Sequence, residues 1–217
     1  MNYQEIVTLV GNLCYGALAI VGLYGVFCVI LIWRRIKAIR FRSEGEQTEF
    51  LQQVDESLKN GDFQGVAQMC DGDPRAVPQL VSLAVANREI GLDKIRALVV
   101  DRFQRDVLAD LQYRLSWVNT MIKTAPMLGL YGTVLGMMGA FANLASGGKV
   151  DPTRLAENIA LALITTAIGL TIAIPLIICT ASIVVRISKL EDLVGTGLTR
   201  FLESLKAVLG NPGTGEA

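Results

Sequence analysis

The sequence predicts an all-α membrane protein with three transmembrane helices, and three observations carry that expectation. Its 217 residues are 52% hydrophobic and only 18% charged, with a positive mean hydropathy, which is too apolar for an ordinary soluble domain of this length. Charged side chains are nearly absent from roughly 8–33, 124–146 and 159–185 and dense between and after those spans. A helix rising about 1.5 Å per residue needs about 20 apolar residues to cross the hydrocarbon core, and each span is long enough, allowing for tilt.

The first element, 1–33, reads as a retained helix and not as a secretory leader. Its start, Met1-Asn2-Tyr3-Gln4-Glu5, has no basic residue, while Arg34, Arg35, Lys37, Arg40 and Arg42 follow the apolar run. That cluster places 34–117 in the cytoplasm by the rule that Lys and Arg stay inside. The second transmembrane helix is expected over 118–146. A short periplasmic loop follows over 147–157, with only Lys149 and Arg154 as cations. The third transmembrane helix takes 158–185, and Arg186 and Lys189 return a C-terminal helix and tail, 186–217, to the cytoplasm. The N-terminus is then outside and the C-terminus inside.

The cytoplasmic region reads as several helices. Phe50, Leu51, Val54 and Leu58 follow helical spacing until Asn60-Gly61-Asp62 breaks the run, and Asp71-Gly72-Asp73-Pro74 makes a second break. Val77, Leu80, Val81, Ala84 and Val85 form the next apolar face, closed by Gly91. From near Leu92 a long helix keeps Ile95, Leu98, Val99, Phe103, Val107, Leu111 and Leu115 on one seam and continues into the second span. Asp93, Lys94, Asp101, Arg102, Arg105 and Asp110 occupy its other positions, as expected of a solvated face with weak i,i+4 pairs. Short apolar faces without a large core of their own predict packing against neighbouring subunits, hence an oligomer.

The residues that most enzymes need are missing. The chain has no His, the commonest catalytic base and a common metal ligand. Cys14, Cys28, Cys70 and Cys179 have neither metal-like nor disulfide-like spacing. There is no nucleophile motif and no Gly-rich phosphate loop. The expectation is a non-enzyme with no cofactor and no metal site, and the zero net charge gives no sign of nucleic acid binding.

Two stripes of small residues stand out. In the second span Gly129, Thr133, Gly136 and Ala140 share a helical face, with Gly132 beside them. In the third, Asn158, Ala162, Thr165, Thr166, Gly169 and Ala173 do the same, and Pro175 follows. Small residues let helix backbones approach closely, so the stripes fit tight helix contacts; they also fit a pore lining. Thr133, Thr165 and Thr166 admit two readings as well. A membrane Thr commonly bonds a carbonyl one turn back and does nothing more. Its hydroxyl can also hold a water or hydrogen-bond a carboxylate that carries a proton. Pro175 can free a carbonyl one turn earlier and kink its helix.

Ala125-Pro126, Gly129-Leu130-x-Gly132-Thr133-Val134, Ile159-Ala160-x-Ala162-Leu163-x-x-Thr166-Ala167-x-Gly169-Leu170 and Ile174-Pro175 together resemble the ExbB/TolQ/MotA family of proton-channel proteins. The match is close over 117–190, and three spans favour the ExbB/TolQ branch over the four-span MotA, and so over a flagellar-type stator. The resemblance implies a multi-pass protein of the bacterial inner membrane, forming a homo-pentameric ring around a pair of single-helix partners of the ExbD/TolR type. It implies that residues at Thr133 and Thr166 line a proton path with an Asp of the partner, and that a TonB- or TolA-like protein carries the work outward. Members often have Glu at the position of Leu161; here the nearest acid is Glu157, one turn farther out, a candidate entrance acid.

The residues fit that division of labour. No ionisable group lies deep in any of the spans, so a proton relay needs a carboxylate from elsewhere. The driving term is about 2.3 kcal/mol per elementary charge per 100 mV. The expected function is a proton-channel subunit of a motor that turns proton-motive force into mechanical work. The contrasting expectation, favoured by Leu161, is a non-conducting scaffold that assembles the single-helix partner.

Overall fold

In the computed structural model, which describes residues 3–145 and 152–209, the regular structure is helical and no strand occurs among the described residues. The helices are α1 (Tyr3–Ile39), α2 (Glu44–Lys59), α3 (Phe63–Cys70), α4 (Ala76–Ala86), α5 (Leu92–Arg102), α6 (Ala109–Ala145) and α7 (Pro152–Leu209). A short 3-10 turn, Arg88–Ile90, precedes α5, and a π-helical stretch, Phe103–Leu108, joins α5 to α6. Three helices are long and apolar enough to cross a membrane, as the three charge-poor spans require.

Several boundaries differ from expectation. The first helix runs past residue 33 to Ile39, because the basic residues after the apolar run are good helix formers. The long helix begins at Leu92 as expected, but one extra residue per turn enters at Phe103–Leu108. Residues 147–151 of the expected loop lie outside the described residues. The rest of that loop, 152–157, is helical, with Pro152 in the first turn, where its missing N–H costs nothing. The third span and the tail expected after it form one helix as far as Leu209, and 210–217 lie outside the described residues. Pro126 and Pro175 both sit inside helices that continue past them.

The chain divides into two units, one of 1–31 with 114–182 and one of 32–113 with 183–217. In the first, the apolar stretches of α1, α6 and α7 bury small or medium side chains: Cys14, Leu18, Val118, Ala125, Ala140, Ala162, Ala173 and Leu176. Gly25 of α1 admits Leu176, whose Cδ1 would stand 2.7 Å from an added Cβ. Tyr24 and Trp117 meet edge to face with centroids 6.1 Å apart. Leu13, Ile20, Leu23, Met127, Leu130, Leu163 and Ile178 point outward, each at least 60% exposed. An aqueous monomer does not present so much apolar surface, whereas lipid or other chains would cover it.

The second unit has a core of its own. Leu51, Val54 and Leu58 of α2, Val66 of α3, Val77, Leu80, Val81 and Ala84 of α4, and Ile95 and Val99 of α5 are all buried. The apolar faces read from sequence are therefore closed within one chain, correcting the expectation that they lack a core. Leu190, Val194, Leu198, Phe201 and Leu205 of α7 recur on one face and are buried in the same unit, and Gly197 lets that helix approach Gln47 and Leu51 of α2. Ser43 caps α2 by accepting from Glu46 N at 3.2 Å. Gly61, with φ +71°, makes the first break in a conformation that side chains resist. Arg75 bonds Asp73 at 2.6 Å and Glu46 at 2.8 Å and lies 4.0 Å over the Phe41 ring. Its guanidinium holds the Asp73 carboxyl below the usual range.

Candidate functional site between the small-residue helices

The two stripes meet each other. A Cβ on Gly129 would lie 2.8 Å from the Thr165 carbonyl oxygen and 2.9 Å from Thr166 Cα; on Gly132 it would lie 2.6 Å from Thr165 Oγ1. On Gly136 it would lie 2.6 Å from Ala162 Cβ, and on Gly169 2.6 Å from the Ala125 carbonyl oxygen. Each of these distances is shorter than a methyl group tolerates, so α6 and α7 meet backbone to backbone at Gly129 and Gly169, while Gly132 and Gly136 make room for the Thr165 and Ala162 side chains. Dispersion at such contacts associates helices where water is absent. Within one chain, then, Gly129, Gly132, Gly136, Ala162 and Gly169 form a seam.

Adjacent threonines on α7 have different surroundings. Thr165 is 4% exposed, and its Oγ1 sits 2.7 Å from the Ala162 carbonyl and 3.0 Å from the Gly129 carbonyl across the seam. Its single proton is shared between two acceptors, and Gly132 supplies the room. Thr166 is half-buried, yet its Oγ1 is sealed from solvent and has no hydrogen-bond partner. Thr133 is also half-buried and donates to the Leu130 carbonyl at 2.7 Å, a bond within its own helix. Thr124 and Thr171 do likewise, to Thr120 and Ala167, so back-bonding is the ordinary state of a Thr here. Thr166 departs from it, as does Thr180 farther along α7.

The remaining expected residues surround the seam. Glu157 is exposed near the start of α7 and Pro175 is exposed farther along it. Leu161 is 56% exposed, so the side chain at this position points away from the packed seam. Its carbonyl accepts a long hydrogen bond, 3.4 Å, from the Tyr15 hydroxyl of α1. Sequence reasoning passed over Tyr15, since a lone Tyr in an apolar run gives no periodic signal. No cluster of side chains able to hold a metal occurs among the described residues. Thr hydroxyls and carbonyls can hold a water or accept a carboxylic proton donor, and cannot themselves carry charge.

A model of the MotA/TolQ/ExbB proton channel family matches residues 81–195, more than half of the chain and all of the seam. The chain belongs to that family. Among curated proteins it is 31% identical over 160 residues to a putative biopolymer transport protein ExbB homolog of Methanothermobacter thermautotrophicus, covering 72% of this chain and 54% of the relative. It is 32% identical over 110 residues to the Tol-Pal system protein TolQ of Haemophilus influenzae, covering 51% and 46%. With the biopolymer transport protein ExbB of Aquifex aeolicus it shares 35% over 91 residues, covering 40% and 62%. The chain thus spans about half to two thirds of these relatives. Their names place it in the ExbB/TolQ branch of the family, and the matched span includes the whole of the small-residue seam.

Proposed function

We propose that this chain is the proton-channel subunit of an inner-membrane motor that converts proton-motive force into mechanical work on a periplasm-spanning partner. The observation that carries the reading is the Thr166 hydroxyl, sealed from solvent and without a partner, in spans that hold no acid of their own. A buried hydroxyl in that state lacks a bond it could make. A carboxylate on a single-helix partner of the ExbD/TolR type would complete it and supply the titrating group. Thr133 stands on the proposed path with Thr166. Thr165, already bonded on both sides of the seam, holds the two helices in register.

The proposed assembly is a ring of five chains around the partner, N-terminus outside, with the exposed apolar faces of α6 and α7 against lipid or the next copy. The names of the relatives speak of biopolymer transport and of the Tol-Pal system, and a TonB- or TolA-like protein is the proposed recipient of the work. The test is proton flux into sealed proteoliposomes, with and without the co-purifying one-helix protein. Flux is expected only with the partner, and Thr166→Val should lower it roughly tenfold, as loss of one hydrogen bond to a charged group does. Unchanged flux from an intact Thr166→Val complex would sink the relay.

Leu161 favours a second reading. An exposed apolar side chain stands where the family resemblance implies a Glu, which suits a scaffold that gathers the partner without conducting. A verified complex with no flux in sealed vesicles would put that reading ahead, and restoring flux with Leu161→Glu would assign the difference to one residue.

A further inference from the structure

Between α2 and the part of α7 beyond residue 182 lies a cavity of about 510 Å³ that the channel reading does not use. Arg40, Lys189 and Arg200 bring three positive charges to its wall, and Glu44 and Asp192 two negative ones. None of the five makes an ion pair among the described residues, whereas Arg35, Lys59, Arg75, Arg102 and Arg105 all do. On the same wall Gln47 is 4% exposed. Its Nε2 donates to the Leu193 carbonyl at 2.7 Å, which Gly197 permits by having no Cβ to collide with the amide. Its Oε1 is buried with no donor, and Arg40 Nε is buried with no acceptor.

Beside these two atoms lies a space large enough for a ligand fragment and far larger than one water. We propose that this cavity binds a phosphate ester that also carries an amine or hydroxyl group. Phosphate oxygens accept from the Arg40 guanidinium and balance Lys189 and Arg200, with charge-assisted bonds stronger than neutral ones. The amine or hydroxyl faces the Glu44 and Asp192 carboxylates. Glu44, Lys189, Asp192 and Arg200 are exposed, so the cavity offers charges of both signs to a ligand arriving from solvent. Arg40 and Lys189 follow closely on the apolar runs of their helices, so the group is available either as a phospholipid headgroup or as a soluble ester.

The test uses the full chain in nanodiscs of phosphatidylcholine, whose quaternary headgroup has no N–H to give. Phosphatidylethanolamine is added to the bilayer in one arm and glycerophosphoethanolamine to the solution in the other. Native mass spectrometry and phosphorus NMR read occupancy. Retention of the lipid alone identifies a headgroup site, and binding of the soluble ester alone a soluble ligand. Arg40→Gln should weaken either by roughly tenfold, with helix content and oligomer size unchanged. Should that variant fail to fold, the double variant Lys189→Gln, Arg200→Gln, altered at wall positions away from the Gln47 contact, carries the same expectation. Binding of neither probe to the wild-type chain, or equal binding to the wild type and the folded variants, overturns the proposal.

Discussion

Gly129 and Leu58 are both buried, and for opposite reasons. Leu58 is fully enclosed, in a unit rich in ion pairs, caps and glycine breaks. Such a core is held by removal of apolar surface from water, at about 25 cal/mol per Å². Gly129 is buried because it has nothing to bury: the backbone of Thr165 occupies the space a side chain would take. Between apolar helices in lipid the water-exclusion term vanishes, and close contact with a few hydrogen bonds does the holding. One chain thus uses two rules, and substitutions of opposite sense should expose them.

The largest expected effect is a truncation in the region that relies on volume. Leu58→Ala should destabilise the 32–113 and 183–217 unit by about 2–5 kcal/mol, read as faster amide exchange in α2 and α4 and earlier proteolytic cleavage near Gly61. At the seam the damaging change is addition. Gly129→Val places methyl groups against the Thr165 carbonyl and should cost about 1–3 kcal/mol, with α6 and α7 moved apart. Spin labels on the two helices, or a cross-link between them, measure that separation. A silent Leu58→Ala, or a Gly129→Val that left the separation of α6 and α7 unchanged, would overturn this account.

Thr165 and Thr166 sharpen the contrast within a single turn. Thr165→Val removes a hydroxyl that bridges two helices and should loosen the seam by roughly 0.6–1.7 kcal/mol, the range for hydrogen bonds between membrane helices. Thr166→Val removes a hydroxyl with no partner, so stability should stay within about 0.5 kcal/mol while flux falls. Thermal unfolding in detergent and flux in vesicles separate the two. A Thr166→Val protein that unfolds as readily as Thr165→Val would place its hydroxyl in a structural role.

Much of this was legible because periodicity reports faces directly. The spans, the start at Leu92 and the buried faces Leu51-Val54-Leu58 and Val77-Leu80-Val81-Ala84 all follow from spacing. Spacing also put Gly129 and Gly136, and Ala162 and Gly169, on one face of their helices. It could not say whether those faces meet each other, a pore or another chain, because a small side chain suits all three. Nor could it distinguish Thr165 from its neighbour, since about 100° of rotation per residue decides which hydroxyl finds a carbonyl. The buried face Leu190, Val194, Leu198, Phe201 and Leu205 was missed because the reading stopped at the end of the apolar run. Gln47 was missed because a polar residue on an amphipathic helix normally reads as exposed.

The smallest effect tests the polar side of the comparison, through pH. The Arg75 guanidinium donates to the Asp73 carboxylate, and the Arg75 backbone N–H donates to Asp73 Oδ1 at 2.9 Å as well. These hydrogen bonds favour the charged form and lower the Asp73 pKa against the opposing effect of burial. A group whose folded pKa is depressed contributes stability that is fully present above its unfolded value, near 3.9. That contribution disappears as pH falls through the lower folded value. Stability of the 32–113 and 183–217 unit should therefore decline as the medium is acidified below about pH 4, and Asp73→Asn should reduce the slope there while destabilising the unit modestly at neutral pH. The seam holds no titrating side chain, so its exchange and cross-linking should not change over the same range. An acid response at Gly129 and Thr165 equal to that at Asp73 would mean that the seam depends on charges elsewhere in the chain.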